Sequence, residues 1–267
     1  MGDMDGMLAG RVAVIVGVGA SGEPLSNGRA TAQEFARQGA RLLLADRDPM
    51  ALADCLAAVR AEGATAETVE LDATDEAGVD AMYARCISCF GQVDVLQNNL
   101  GITSFGKVTN VTVADFDRLI AVNVRSVFML CRGALKLMEP RGKGVITNIS
   151  SISSVRHLGI RSPLYDLSKA AVNALTRNIA VDYGPRGIRA NAVLVGMMDT
   201  PLARSGIAAA GRGTEEVYPT YTQRIPAGRM GEGMDTARLS AFLASDLAGY
   251  ITGAEIPVDG GLIARAG

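Results

Sequence analysis

The segment Arg11-Val12-Ala13-Val14-Ile15-Val16 runs directly into Gly17-Val18-Gly19-Ala20-Ser21-Gly22-Glu23-Pro24-Leu25-Ser26-Asn27-Gly28, and its reading decides the fold. From Val12 to Val16 every side chain is apolar, the pattern of a strand buried on both faces in a parallel sheet under helices. Beyond the glycines, Arg29-Ala30-Thr31-Ala32-Gln33-Glu34-Phe35 reads as a helix; Asn27 or Ser26 can cap it, and Gly39 is a left-handed terminator. Similar apolar runs recur at 41–45, 67–71, 93–97, 144–149, 188–193 and 255–258, so that with 11–16 there are seven strands alternating with helical stretches. Parallel neighbours need crossover connections, so the expected class is α/β, a doubly wound seven-stranded parallel sheet with helices on both faces. No linker or repeat divides the chain, and one domain over 1–267 is expected. Only 203–226, with Gly206, Gly211, Gly213 and Pro219, loses periodicity; it reads as a lid or binding loop spanning about 202–226.

Composition narrows the function. With 26 Lys plus Arg against 28 Asp plus Glu in 267 residues, the net charge of −2 lacks the basic excess of a nucleic-acid binder. A single histidine, His157, excludes metal sites with two histidine ligands and points acid–base chemistry elsewhere. Apolar residues at 48%, 31 glycines and no tryptophan suit closely packed α/β layers. No apolar run reaches membrane-spanning length, and the acidic start Met1-Gly2-Asp3-Met4-Asp5 has no export signal; Gly6 stands where a myristoylation motif needs Ser or Thr. A soluble cytoplasmic protein, with no membrane or nucleic-acid partner and no metal, is expected. The pair Cys86 and Cys89 closes an apolar-periodic stretch from Val79 to Phe90, where packing explains it better than redox chemistry.

Gly17, Gly19 and Gly22 spell G-x-G-x-x-G between a strand and a helix, where backbone amides and the helix N-terminus can approach a pyrophosphate. The expected fold is therefore Rossmann-like. Asp46, at the end of the second strand, is placed to accept hydrogen bonds from an adenosine ribose and to repel a 2′-phosphate, favouring NAD over NADP. Arg47 follows and can pair with a phosphate, which keeps NADP as the lesser alternative.

Further motifs stand in order: Asn98-Asn99-Leu100-Gly101, Asn123, Asn148-Ile149-Ser150-Ser151, Tyr165-x-x-x-Lys169, and Tyr250-Ile251-Thr252-Gly253 through Val258-Asp259-Gly260-Gly261. From about Leu8 to Gly261 the chain thus resembles the short-chain dehydrogenase/reductase family. Tyr165 and Lys169, four apart, share one helix face. Bringing a phenol from about 10 to about 7 needs about 4 kcal/mol, toward which an ammonium and the charge of oxidised nicotinamide both act. The resemblance implies an NAD(P)-dependent oxidoreductase interconverting a secondary alcohol and a ketone. In it Tyr165 is the acid/base, Ser151 holds the carbonyl oxygen, Lys169 also binds the nicotinamide ribose, and Asn123 supports a water-linked proton path. It further implies Asp72 and Ala73 near adenine, Asn99 and Gly101 beside adenosine, and Gly196, Met198 and Thr200 around the carboxamide. The phosphate contact in the loop stays open among Gly19, Ser21 and Gly22, with Gly17, Asn27 and Gly28 around it.

Two departures stand out. Val195 replaces the proline the family usually has before its glycine, and Gly17 and Gly28 are eleven apart where six is usual. The longer loop resembles the enoyl-reductase branch, but the residue seven after Tyr165 is Val172 and not the lysine of that branch. An enoyl reductase, or a non-catalytic cofactor-binding protein, is the alternative. Glu23 is expected to point away from the pyrophosphate. Ser153, His157, Met197 and Tyr221 are candidate substrate contacts, and Arg156, Arg161, Arg204, Arg212 and Arg224 either hold an acidic substrate group or are solvated charges. A homotetramer or homodimer is expected, with Leu119, Val122, Val127 and Leu130 and the segment 170–175 fitting its interfaces or the core.

Overall fold

A computed structural model describes residues 6–209 and 211–265; the acidic stretch 1–5, including Gly2, and Ala210 of the lid lie outside the described residues. Seven strands, β1 (Val12–Val16), β2 (Arg41–Asp46), β3 (Ala66–Glu70), β4 (Val95–Asn98), β5 (Gly144–Ser151), β6 (Ile188–Val195) and β7 (Glu255–Val258), form one sheet in the order 3-2-1-4-5-6-7. Every pairing is parallel, and β1 and β5 are buried throughout, β1 as its unbroken apolar run requires. β5 and β6 run two residues further than their apolar stretches, because Ser150↔Leu194 and Ser151↔Val195 extend the ladder and carry Ser151 to the strand's end.

Six helices cross between strands: α1 (Asn27–Arg37), α2 (Pro49–Ala61), α3 (Glu76–Phe90), α4 (Val113–Ile120), α5 (Ser126–Met138) and α6 (Pro163–Tyr183). After β6 come α7 (Pro201–Ala209), α8 (Thr214–Arg224) and α9 (Gly233–Ala244). Ser26, not Asn27, caps α1 by accepting from Arg29 N at 3.1 Å, and Gly39 turns the chain at φ +84°. α4 and α5 are joined by a π-helical turn, Ala121–Arg125, a widened turn of the kind often found at functional sites.

The sheet order reverses between β1 and β4, where the connections leave to opposite sides and open a crevice beyond the strand ends. The register Val16↔Asn98 brings the glycine loop and the Asn99–Gly101 loop out side by side. Asn98 Nδ2 donates to Asn148 Oδ1 at 2.7 Å, and Asn148 Nδ2 to Thr176 Oγ1 at 2.9 Å, so a buried polar chain locks β4, β5 and α6 behind the crevice.

Two expectations change here. The stretch 203–226 is mostly helical, not loop: α7 and α8 lie over the crevice mouth. α7 buries no residue and α8 only Val217, so neither needed an apolar stripe in its sequence. Leu119, Val127 and Leu130 belong to the core; the apolar residues that α4 and α5 expose are Val113, Phe116 and Phe128. Cys86 is buried in the last turns of α3 and its thiol is pushed up to about 12 by burial, the opposite of a redox thiolate. Among the described residues no group of three or more His, Cys, Asp and Glu is placed to hold a metal ion.

Candidate active site

Two clefts of about 470 and 900 Å³ meet beyond the ends of β1, β4, β5 and β6, sharing Asn27, Asn99, Leu100, Gly101, Thr200 and Leu202 as walls. The smaller is lined by the glycine loop together with Asp46, Arg47, Asp72 and Ala73; the larger contains Ser151, Tyr165 and Lys169.

The glycine loop owes its shape to backbone contacts. A Cβ on Gly28 would meet Gly17 O at 1.9 Å, and one on Gly19, at φ +78°, would meet the Ser26 side chain at 2.6 Å. Gly19 N donates to Asp46 Oδ2 at 2.9 Å, fixing the carboxylate that ends β2 at the cleft wall. Ser21 and Gly22 do not line the cleft. Gly22 N donates toward Asp54 Oδ2 at 3.4 Å, and Arg29 pairs with Asp54 at 2.7 Å, so the inserted residues fold outward against α2. Glu23 is exposed there, as its charge requires. Asn27 Oδ1 is buried without a hydrogen-bond partner and faces both clefts. Asp72 accepts from Thr74 N at 2.9 Å and Thr74 Oγ1 at 2.7 Å, which holds its carboxyl below the usual range.

In the larger cleft, α6 brings Tyr165 and Lys169 to one face, and β5 delivers Ser151 opposite them. Lys169 is 2% exposed, and its Nζ donates to Ile149 O at 2.8 Å and Leu100 O at 3.0 Å. Burial pulls it down to about 8. Its Nζ lies 5.8 Å from the centre of the Tyr165 ring. The phenol of Tyr165 is pushed up to about 12, chiefly by burial; a Ser151 hydrogen bond pulls it down and the charge of Asp166 lifts it. Burial thus outweighs the Ser151 hydrogen bond at this phenol.

Asn123, fully buried in the π turn, lines neither cleft. It accepts from Ile102 N at 2.8 Å and donates to Ile102 O at 2.9 Å and Ser168 Oγ at 3.1 Å, clamping the loop after β4 to α6. Gly196 lines the larger cleft, and a Cβ there would meet Asp259 Cα at 2.6 Å, so the glycine is required by the chain behind it. Met198 lines the same cleft and Thr200 both.

Of the substrate candidates, Ser153, Met197 and Tyr221 line the larger cleft, and Ser153 Oγ is buried without a partner. His157 does not line it: the ring is exposed and its Nδ1 accepts from Gly159 N at 3.1 Å. Four of the five arginines are committed elsewhere: Arg204 to Asp199, Arg212 to Glu216, Arg224 to Leu158 O and Arg156 to Ile263 O. Sequence reading missed the walls made by Phe105, Leu158, Ile160 and Tyr218; loop apolar residues carry no periodicity to reveal them.

A family model described as Enoyl-(Acyl carrier protein) reductase matches residues 24–263. The 2,5-dichloro-2,5-cyclohexadiene-1,4-diol dehydrogenase LinX of Sphingobium indicum is 33% identical over 258 residues, covering 97% of this chain and 98% of that one. Levodione reductase of Leifsonia aquatica is 36% identical over 255 residues, covering 94% and 93%. A crystal structure described as that of a short-chain dehydrogenase/reductase from Burkholderia xenovorans superposes with a TM-score of 0.94 at 37% identity, covering 98% of this chain and all of that one. With the seven-stranded sheet and the ordered motifs, these likenesses establish that the chain is an oxidoreductase enzyme belonging to the short-chain dehydrogenase/reductase family, whose cofactors are NAD(P).

Proposed function

We propose that this enzyme interconverts a secondary alcohol and a ketone, with NAD preferred over NADP and Tyr165 as the acid/base. The observation that carries the reading is the grouping of Ser151, Tyr165 and Lys169 in one cleft that continues directly into the glycine cradle. The cradle suits a dinucleotide: the loop closes on Gly28 only because that residue has no Cβ to meet Gly17 O, and Asn27, whose Oδ1 is orphaned, lines both clefts. Gly17, Gly19, Gly28 and Asn27 would hold the pyrophosphate region, Asp46 the adenosine ribose, Asp72 and Ala73 the adenine side, and Met198 and Thr200 the nicotinamide end. When bound, the nicotinamide accepts a hydride from the carbinol carbon in oxidation and gives one back in reduction.

The chain's own residues handle the proton. In reduction, Tyr165 donates its phenolic proton to the carbonyl oxygen, which Ser151 holds by a hydrogen bond. In oxidation, the same phenol oxygen removes the hydroxyl proton. Burial favours the protonated phenol, so proton donation is the easier direction, and abstraction gains from any positive charge added beside the ring. Asn123 serves by fixing the Leu100–Ile102 loop, whose Leu100 carbonyl in turn holds Lys169. Enoyl reduction, for which the matching family model is named, is disfavoured by Val172, which is 1% exposed in the core where that branch has its lysine. Four free cysteines support a reducing, cytoplasmic setting, and no helix of the described residues is long and apolar enough to cross a membrane. Exposed Val113, Phe116 and Phe128 support a homodimer or homotetramer.

Tyr165→Phe tests the assignment. Alcohol oxidation and ketone reduction are expected to fall about 100-fold or more while NAD binding, followed by fluorescence, persists. Turnover unchanged in this variant overturns the assignment.

A further inference from the structure

Charged side chains around the larger cleft, apart from Lys169, are Lys107, Arg161, Asp166 and Arg212. Arg212 is neutralised by Glu216 at 2.8 Å, and Asp166 accepts from Ser162 Oγ at 2.9 Å. Lys107 and Arg161 have no side-chain hydrogen bond and no ion pair among the described residues, although both are exposed at the rim. They come from different loops, and Gly106 N donates to Arg161 O at 2.9 Å, which ties together the backbones that carry the two cations. Arg161 stands four residues before Tyr165, in the segment that leads into α6. Phe105, Leu158 and Ile160 add apolar wall to the same cleft.

Resting on the alcohol/ketone reading above, we infer that Lys107 and Arg161 recognise an oxyanion at the far end of the substrate from the reacting carbon. The substrate class is then a secondary alcohol or ketone with an apolar middle and a terminal carboxylate, sulfonate or phosphate. Two features set this pair apart from the other rim charges. Each cation lacks an internal partner, so an incoming oxyanion breaks no existing ion pair; and Arg161 presents the planar fork that matches an oxyanion with two parallel hydrogen bonds. Asp166, which accepts from Ser162 Oγ, is the single carboxylate lining this cleft, and the two unpartnered cations outnumber it.

The test uses the whole enzyme with NAD(P) and a ladder of (ω−1)-hydroxy acids, each beside its neutral methyl ester and beside the sulfonate and phosphate of matching length. The wild type is expected to prefer one acid over its ester in kcat/KM by about tenfold to a hundredfold, the factor of a charge-assisted hydrogen bond. In Arg161→Ala combined with Lys107→Ala that ratio collapses toward one, and in Arg161→Glu it inverts. On the wild type alone, the acid's KM rises with ionic strength and the ester's does not, a readout that needs no variant to fold. The sulfonate and phosphate arms identify which oxyanion fits. Esters turned over as well as acids overturn the inference and leave the alcohol/ketone reading standing. Enoyl thioesters reduced with no turnover of any alcohol or ketone overturn both.

Discussion

Lys169 Nζ donates to the carbonyl oxygen of Ile149 at 2.8 Å, joining α6 to the last residues of β5. The same ammonium reaches Leu100 O at 3.0 Å, so one side chain on α6 pins the ends of two neighbouring strands. An ammonium has three protons to donate, and these two bonds leave one without a partner among the described residues, in a side chain that lines the cleft. A Cβ on Gly101 would come 3.2 Å from that nitrogen, so the loop's small residue is part of the fit.

This burial gives stability a pH signature. Lys169 falls from an ordinary 10.5 to about 8, so between those values the unfolded chain binds more protons than the native one and stability gained from this residue rises with pH. Comparing urea unfolding of the wild type and Lys169→Met, the wild-type advantage should grow by up to about 3 kcal/mol from about pH 8 to about pH 10.5. A constant or shrinking difference would show that burial does not lower the pKa of this lysine.

The glycine cradle makes a second, local prediction. In Gly28→Ala the new methyl meets Gly17 O, at 1.9 Å from its ideal position, so the loop must open; NAD affinity should fall at least about tenfold, with a stability loss of about 1–3 kcal/mol. Gly22→Ala, whose Cβ meets nothing within 4 Å, should cost only its left-handed backbone, about 1–2 kcal/mol, and leave NAD affinity nearly intact. Equal losses of NAD affinity in the two variants would place the pyrophosphate along Gly22 after all.

Coenzyme choice is predicted to rest on Asp46, whose carboxylate is fixed by Gly19 N at 2.9 Å and Asp48 N at 3.1 Å. Asp46→Ser should shift the NAD to NADP ratio of kcat/KM by about tenfold or more toward NADP, equivalent to about 1.4 kcal/mol, with Arg47 then free to meet a 2′-phosphate. A wild type that uses both coenzymes equally well would remove the premise.

Helices α7 and α8 share a clip. Asp199 accepts from Arg204 at 2.7 and 2.8 Å and from Tyr218 Oη at 2.7 Å, so one carboxylate before α7 ties α7 to α8. The Arg204 guanidinium holds that carboxyl below the usual range, so the clip stays formed as pH drops past the normal Asp value and opens only in stronger acid. Asp199→Asn should raise KM about threefold to tenfold and leave kcat nearly unchanged, because the clip shapes the cleft mouth and touches no reacting atom. A fall in kcat with KM unchanged would assign the clip to chemistry.

Much of this protein can be read from residue order. A strand buried on both faces, such as β1, writes its burial as an unbroken apolar run, and the short aliphatic or β-branched stretches of the others, separated by helices, place all seven and their parallel pairing. The spacing of Tyr165 and Lys169 needs only a helix to bring them together. Other features had no such local cause. α7 and α8 bury almost nothing and so have no periodicity to show. Whether Ser21 and Gly22 face a phosphate depends on Asp54 and Arg29, from two other helices, which draw the inserted residues outward. His157 is turned onto its own loop by Gly159, and of five similar arginines only through-space partners decide that four are spent and Arg161 is not. Local pattern reports what a residue repeats along the chain; the commitment of a polar side chain is settled by whatever the fold sets opposite it.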